Sequence, residues 1–143
     1  MLMGEYHHNI DDKLRLIIPS SFREQLGNQV VITRGLENSL FVYSIIEWQK
    51  IIDKFKELPF TKQDARGFMR IFLSGATICE FDKQGRIKLT EPLKTYASLK
   101  KECCIIGVSD RLEIWDNEAW SAYFNKNKKD LSDLADHLFD VNF

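Results

Sequence analysis

The stretch Asp11-Asp-Lys-Leu-Arg15-Leu-Ile-Ile returns later in the chain as Asp82-Lys-Gln-Gly-Arg86-Ile-Lys-Leu, at a constant offset of 71 residues. Both copies share the frame D-x-x-x-R, followed by apolar residues that favour a strand. An internal repeat fixes the architecture before any single element is assigned, because each copy is one supersecondary unit. We therefore expect two copies of one short β-rich unit.

The match between the two halves continues beyond this motif. Gly35 aligns with Gly107 and Trp48 with Trp120, now at an offset of 72 residues. A single-residue insertion in a loop explains the change of offset, since loops tolerate insertions. The shared order of features over two long stretches is a stronger signal of duplication than one short motif.

Each half also contains a predicted hairpin. Residues 30–33 and 40–43 are β-branched and aromatic runs separated by a turn-forming segment, and residues 103–108 and 112–115 repeat this arrangement. Neither half alone offers enough strands to close a core. We predict an α+β protein with a mainly β core, in which the two copies interleave into one barrel-like sheet.

Helical periodicity follows each hairpin. Ser44 and Glu47 form a capping box for a first helix that ends before Pro59, and Thr61 with Asp64 opens a second. The expected apolar face of the first helix consists of Ile45, Trp48, Ile52 and Phe55, and that of the second of Ala65, Met69, Phe72 and Ala76.

Two further helices are predicted near the C-terminal end. Asp116 caps the third, and Asp130 begins the fourth, whose Leu131, Leu134 and Leu138 are expected to face inward. The predicted organisation is a first β unit over residues 5–47, a helical connector over 48–75, a second β unit over 76–119 and a helical segment over 120–143.

The composition is that of a folded soluble protein. The chain has 143 residues, of which 44% are hydrophobic and 29% charged. No apolar run approaches the roughly 18 to 20 residues that cross a bilayer. The N-terminal stretch MLMGEYHHNIDDK lacks the basic and apolar segments of a secretory signal. We expect a cytoplasmic protein without a membrane segment.

The net charge of −1 argues against a protein that binds nucleic acid through bulk positive potential alone. The negative charge is concentrated at the C-terminal end, so that the remainder of the chain is mildly basic. The acidic residues there are Asp116, Glu118, Asp130, Asp133, Asp136 and Asp140, against the basic residues Lys126, Lys128 and Lys129.

Metal-ligating residues are few. Three cysteines cannot all pair within one chain, and they lack C-x-x-C spacing, so we expect reduced, buried thiols. Glu5, His7 and His8 offer ligand atoms, but neighbouring residues on a strand point to opposite faces. We therefore predict no metal and no cofactor. The cysteines are Cys79, Cys103 and Cys104.

The repeated aspartates and arginines are the main candidates for function. An Asp that opens a tight turn accepts backbone N–H hydrogen bonds, so we expect a structural role for Asp11 and Asp82. An Arg at the far end of the turn can pair with the same carboxylate. For Arg15 and Arg86 we nevertheless favour DNA binding, because two planar cations in matched geometry suit phosphate groups or guanine edges.

Five long stretches of the chain resemble the MraZ family, and the resemblance extends over nearly the whole length of the chain. They are GEYHHNIDDKLRLIIPSSFR (4–23), VITRGLENSLFVY (31–43), KQDARGFMRIFLSGA (62–76), CEFDKQGRIKL (79–89) and IGVSDRLEIWD (106–116). The resemblance implies two SpoVT-AbrB-type units with swapped-hairpin barrels, and it places the family's D-x-x-x-R arginines on Arg15 and Arg86.

The same resemblance implies a function. It predicts a nucleoid-associated, sequence-specific transcription regulator that forms a ring-shaped homo-oligomer. Its partner would be double-stranded DNA carrying tandem short repeats, in the promoter of the division and cell-wall operon to which the regulator itself belongs.

The first turn departs from the family pattern. The second copy has Gly85 before the arginine, whereas the first has Leu14 at the position where the family usually carries Gly. Gly takes a positive φ without steric cost, and Leu does not. The first turn is therefore expected to differ in shape from the second.

Other cations are weaker candidates. Lys13, Lys83 and Lys88 neighbour the turn arginines, and we expect them to contact phosphates, which positions a protein without reading bases. His8 and Arg34 could also approach DNA, but no spacing demands it. The basic stripe of the second helix fits a solvated face better than a DNA contact. Its residues are Lys62, Arg66 and Arg70.

Two other classes of function remain open. A structural or protein-binding oligomer could dock a partner on its acidic final helix. A small barrel enzyme is less favoured, because the sequence has no Gly-Ser dipeptide for self-cleavage and no G-x-S-x-G, P-loop or H-E-x-x-H motif. We predict a regulator rather than an enzyme.

Overall fold

The computed structural model describes residues 1–139, which form eight strands and six helices. Asp140, counted above among the acidic residues, and the end of the predicted 120–143 segment lie outside this range. The elements are β1 Leu2–Asn9, β2 Arg15–Ile17, α1 Ser20–Leu26, β3 Gln29–Arg34, β4 Leu40–Ser44, α2 Ile45–Phe55, α3 Gln63–Ser74, β5 Thr77–Glu80, β6 Arg86–Lys88, α4 Glu91–Tyr96, β7 Glu102–Ser109, β8 Arg111–Asp116, α5 Asn117–Lys128 and α6 Leu131–Leu138.

The strand order has the symmetry of the repeat. Six strands form one antiparallel sheet in the order β1-β7-β8-β4-β3-β5, and β2 pairs with β6 in a separate two-stranded ribbon. Exchanging each strand of the first copy for its counterpart in the second (β1 for β5, β2 for β6, β3 for β7, β4 for β8) reverses the sheet order onto itself. The α+β class and the interleaving of two copies are therefore confirmed.

Both predicted hairpins are present. In the first, β3 pairs with β4 and places Ile32 opposite Val42. In the second, β7 pairs with β8 and places Ile105 opposite Ile114. The edge strands cross between copies, because β1 of the first copy pairs with β7 and β5 of the second pairs with β3. Each copy thus completes the sheet of the other.

The ribbon is attached to the main core by its inner face. Leu16 of β2 and Ile87 of β6 lie opposite each other and are both fully buried. Burial of one such side chain contributes about 1.5 to 3 kcal/mol. Because side chains alternate along a strand, burial of these two turns their neighbours outward. One face of the ribbon is therefore packed on the core, and the other face is open to solvent.

A second, aromatic core lies between α2, α3 and the sheet. The Ser44 hydroxyl accepts the backbone N–H of Glu47 at 3.2 Å, as the predicted cap requires. The predicted face of α2 is only partly right, since Ile45 is 41% exposed while Trp48 packs inward. This core consists of Phe41, Tyr43 and Phe72, with Trp48, Ile51, Phe55 and Leu73 against it.

The start of α3 differs from the prediction. The helix begins at Gln63, and Lys62 precedes it without a side-chain capping bond. Ala76, assigned above to its apolar face, lies beyond its last residue, Ser74. The two short helices α1 and α4 lie between the ribbon strands and the hairpins and are additional to the four helices predicted from the sequence. They occupy equivalent positions in the two copies.

The C-terminal helices divide into a packed one and an exposed one. The Asp116 carboxylate accepts the backbone N–H of Ala119 at 3.2 Å, which confirms the predicted cap of α5. The inward orientation predicted for the leucines of α6 is wrong, because Leu131, Leu134 and Leu138 are 67%, 44% and 77% exposed. Periodicity revealed the apolar face but could not reveal that the sheet does not extend beneath it.

The cysteines are all free thiols. Cys103 and Cys104 are buried, as predicted, whereas Cys79 is partly exposed. Burial raises the pKa of the Cys103 thiol to about 11 and that of Cys104 to about 12. Among residues 1–139, no helix has the length and apolar character to span a membrane.

Candidate nucleic-acid interface

The first copy of the D-x-x-x-R motif folds into a tight turn organised by its carboxylate. Asp11 Oδ1 accepts the backbone N–H groups of Lys13 at 3.0 Å and Arg15 at 2.8 Å. Asp11 Oδ2 accepts Nε–H of the Arg15 guanidinium at 2.7 Å. One side chain thus orders both the turn backbone and the arginine at its end.

The second copy repeats this geometry. Asp82 Oδ1 accepts the backbone N–H groups of Gln84 and Arg86, each at 2.9 Å, and Oδ2 accepts Nε–H of Arg86 at 2.7 Å. In both turns the backbone N–H of the arginine is the main cause that holds the pKa of the aspartate carboxyl below its usual value. Asp11 and Asp82 therefore remain ionised at neutral pH.

The expected difference between the turns is wrong. Leu14 has φ of 62° and Gly85 has φ of 76°, so both residues take the left-handed conformation. Leu14 tolerates this because its side chain packs against the main core. Gly85 faces a different constraint, since a Cβ at this position would lie 2.5 Å from Cζ of Arg23. The two turns have one shape and different surroundings.

Arg23 is a component of this region that sequence reasoning missed. Its Nε donates to the carbonyl oxygen of Ile18 at 2.9 Å, which holds the guanidinium above the Gly85 turn. No local pattern marks the residue, because the contact joins α1 of one copy to the turn of the other. It becomes visible only when β2 and β6 are paired.

The outward side chains of the ribbon form what we call its outer face: Arg15 and Ile17 from β2, and Arg86 and Lys88 from β6. The register places Arg15 directly opposite Lys88 and Ile17 directly opposite Arg86. Like charges directly opposite on one face destabilise a strand pair. Among residues 1–139, the carboxylates that form ion pairs on this face are those of the two turn aspartates, and Asp11 Oδ2 also lies 3.9 Å from Arg86 Nη1.

Both guanidinium groups are paired but accessible. The side chains of Arg15 and Arg86 are 32% and 21% exposed. The aspartates occupy the Nε–H edge of each group, and Arg86 Nη2 also donates to Gln84 Oε1 at 3.2 Å. Within the described residues, the Nη groups of Arg15 have no hydrogen-bond acceptor. These terminal donors can bind a phosphate or a guanine edge.

The predicted lysines flank the outer face. Lys13, Lys83 and Lys88 are all exposed, and none forms an ion pair with a carboxylate of residues 1–139. Lys13 and Lys83 lie in the turns, and Lys88 ends β6. The structure thus gathers all five predicted cations of the two motifs at one ribbon.

Two of the other candidate cations have structural partners elsewhere. Arg34 Nη1 donates to the carbonyl oxygen of Ile71 and to Ser74 Oγ, each at 2.9 Å, and so joins β3 to α3. Arg66 Nη1 donates to the carbonyl oxygen of Phe60 at 3.0 Å. Neither group belongs to the ribbon.

Comparison with known proteins agrees with the duplicated geometry. The family model described as "MraZ protein, putative antitoxin-like" matches the chain twice, over residues 1–71 and 72–142. The chain belongs to the MraZ family. A relative from Lactobacillus helveticus (strain DPC 4571), named Transcriptional regulator MraZ, is 54% identical over 141 residues, which cover 99% of both chains.

Membership of the MraZ family decides between the regulator and the enzyme considered from the sequence. The family is not one of enzymes, so the barrel-enzyme alternative is set aside. The second family match begins 71 residues after the first, which equals the offset between the two D-x-x-x-R motifs. The repeat recognised from the motifs is therefore the repeat of the family.

Proposed function

We propose that this chain is a transcriptional regulator that binds double-stranded DNA through the outer face of the β2–β6 ribbon. The name of its Lactobacillus relative supports regulation of transcription. The observation that carries the proposal is the gathering of Arg15, Arg86 and Lys88 on one exposed face, where a polyanion would add to the charge compensation that the two turn aspartates give.

The dimensions and the local charge of the ribbon support this proposal. The major groove of B-DNA is about 12 Å wide and admits a two-stranded ribbon. Residues 11–17 and 82–88 together contain five cations against three aspartates, so the ribbon is positive although the chain is not. The arginine Nη groups would contact guanine edges or phosphates, and the lysines would contact phosphates.

Oligomerisation would supply the affinity that one ribbon lacks. We propose a ring of subunits that engages tandem short repeats in the promoter of its own division and cell-wall operon, on the cytoplasmic nucleoid. Linked weak sites gain on the order of a hundredfold or more in affinity over a single site. Exposed apolar side chains such as Phe60 (77%) and Ile71 (57%) are consistent with subunit contacts.

The exposed leucines of α6 favour a second candidate, a protein-binding oligomer without a DNA role. Leu131, Leu134 and Leu138 present an apolar stripe beside acidic residues. Binding to labelled DNA from upstream of the protein's own operon, measured by fluorescence anisotropy, separates the two functions. Specific binding supports the regulator, and its absence at every protein concentration supports the alternative.

The ribbon itself is tested by single substitutions. We expect Arg15→Ala and Arg86→Ala each to weaken specific binding by about tenfold or more, since one good base or phosphate contact contributes about 1 to 3 kcal/mol. Loss of a phosphate contact should also reduce the slope of log affinity against log salt by about one.

Arg70→Ala is the matched control, because it removes an exposed cation of α3 outside the ribbon. Its affinity should equal that of the wild type, and circular dichroism should show all three variants folded. Wild-type affinity in both ribbon variants would overturn the proposal. Loss of binding in Arg70→Ala alone would move the interface to α3.

A further inference from the structure

A cluster of metal-ligating atoms lies where β1 and β7 pass beneath α5, away from the ribbon. Glu5 and His7 are two residues apart on β1 and therefore share one face of the sheet. The register places His7 directly opposite Cys104 on β7. One ligand atom from each of these three side chains lies within 4.8 Å of the other two.

The hydrogen bonds around His7 fix its orientation. Asn117 Nδ2 donates to Glu102 Oε2 at 3.0 Å, which turns the amide oxygen of Asn117 toward His7. That oxygen lies 2.8 Å from His7 Nδ1, so Nδ1 carries the hydrogen. In the neutral ring the lone pair is then on Nε2, which faces Glu5 Oε2 at 2.8 Å.

This arrangement brings two acceptors together. A carboxylate oxygen and an unprotonated ring nitrogen repel each other at 2.8 Å unless a positive species joins them. A proton on Nε2 would make an ion pair of His7 and Glu5. A metal ion would satisfy the same two atoms and would also use the neighbouring Cys104 sulfur, which a proton on the ring does not.

We propose that Glu5, His7 and Cys104 bind one divalent transition-metal ion, of which Zn²⁺ has the matching ligand preference. Zinc accepts carboxylate oxygen, imidazole nitrogen and thiolate sulfur in one site. On binding, the Cys104 thiol releases its proton to solvent and a metal–sulfur bond forms, so that one proton is released per ion. Three protein ligands leave a fourth position for water.

The surroundings are those of a supported site. Ligating histidines commonly donate their other ring N–H to an oxygen, as His7 does to Asn117. Trp120 Nε1 donates to Glu5 Oε1 at 2.8 Å and orients the carboxylate. The side chains of Glu5 and His7 are 43% and 48% exposed and line a cavity of about 170 Å³, and the buried Cys104 lies opposite His7.

The objection that neighbouring residues on a strand point to opposite faces applies to His8, which lies across from Cys103. The third ligand instead comes from a strand of the other copy. A bound ion would fasten the edge strand β1 to β7 and, through Trp120, to α5.

Cobalt provides the test, since Co²⁺ occupies zinc sites and absorbs in the near ultraviolet when a thiolate binds it. We expect chelator-treated protein to take up one Co²⁺ per chain with a thiolate-to-cobalt band, which Zn²⁺ then displaces. His7→Gln should weaken Co²⁺ binding at least tenfold. Cys104→Ala should abolish the band.

The chain contains a matched control for each variant. His8→Gln and Cys103→Ala alter the adjacent residues on the opposite face and should leave the band and the affinity unchanged. A wild-type protein with no thiolate band would overturn the proposal, as would a band that survives Cys104→Ala. No DNA is involved, so the result is independent of the proposed regulatory function.

Discussion

The two turns of the ribbon share the hydrogen bonds to their aspartates and their backbone shape, yet their central residues are Leu14 and Gly85. Either residue can occupy the left-handed position, because the flanking Asp and Arg impose the turn. What separates them is the neighbour. Leu14 reaches the core, whereas the space above Gly85 belongs to Arg23. A turn residue can therefore be dictated by its packing partner rather than by the turn itself.

The outer face shows a second difference between the copies. Ile17 occupies the position in β2 that Lys88 occupies in β6, and it is 41% exposed among cations. The two halves of the ribbon are thus equal in backbone and unequal in charge. If the ribbon binds DNA, its halves contribute differently to the salt-dependent part of the affinity.

The largest effect should come from exchanging the turn residues. Gly85→Leu places a Cβ against the Arg23 guanidinium and displaces its hydrogen bond to Ile18, in addition to the cost of positive φ. We expect a loss of about 2 kcal/mol in the free energy of unfolding, measured by urea denaturation.

Leu14→Gly is the reciprocal variant. Glycine relieves the strain of the positive φ, but the substitution removes the packing of the partly buried Leu14 side chain. We therefore expect the free energy of unfolding to fall by about 1 kcal/mol or less. Arg23→Ala removes the guanidinium that a side chain at position 85 would meet. In a double-mutant cycle, it should therefore restore part of the unfolding free energy that Gly85→Leu loses. Equal losses in the two single variants would contradict the difference in surroundings.

An intermediate effect is expected from exchanging charges on the outer face. Ile17→Lys adds a cation at the position equivalent to Lys88, and it should steepen the salt dependence of DNA binding by about 0.9 in log–log slope. Lys88→Ile should reduce that slope by a similar amount. Anisotropy titrations at several salt concentrations measure both, and unchanged slopes would place DNA elsewhere.

The smallest effect concerns acid stability. Because folding lowers the pKa of Asp11 and Asp82, both contribute stability above their unfolded pKa of about 3.9 that is lost as pH falls through the folded value. Asp11→Asn and Asp82→Asn should each reduce the fall in melting temperature below about pH 4. Because the hydrogen bonds within the two turns match, we expect the two reductions to be similar, and a clear inequality would show that the longer contact between Asp11 and Arg86 also matters.

Most of the fold follows from local patterns. The D-x-x-x-R turns, both hairpins and the caps at Ser44 and Asp116 depend on residues within a few positions of one another. The periodicity of α6 was also visible, but the exposure of its leucines was not. Amphipathic spacing identifies an apolar face without identifying what covers it.

For the candidate DNA-binding site, the sequence likewise identified the residues but not their arrangement. Arg15 and Arg86 were found from the sequence because the repeat marks them twice. Their arrangement opposite Lys88 and Ile17 required the β2–β6 register.

By itself, the sequence determined the duplication, the α+β class and the aspartate-ordered turns. Each of these depends on residues that lie within a few positions of one another and that occur in both copies. The tertiary structure alone decided that Arg23 packs over Gly85 and that Cys104 lies opposite His7. These pairs are 62 and 97 residues apart in the chain. Only the interleaving of the two copies brings them together, because strand pairing between distant segments is set by the whole core rather than by any local pattern.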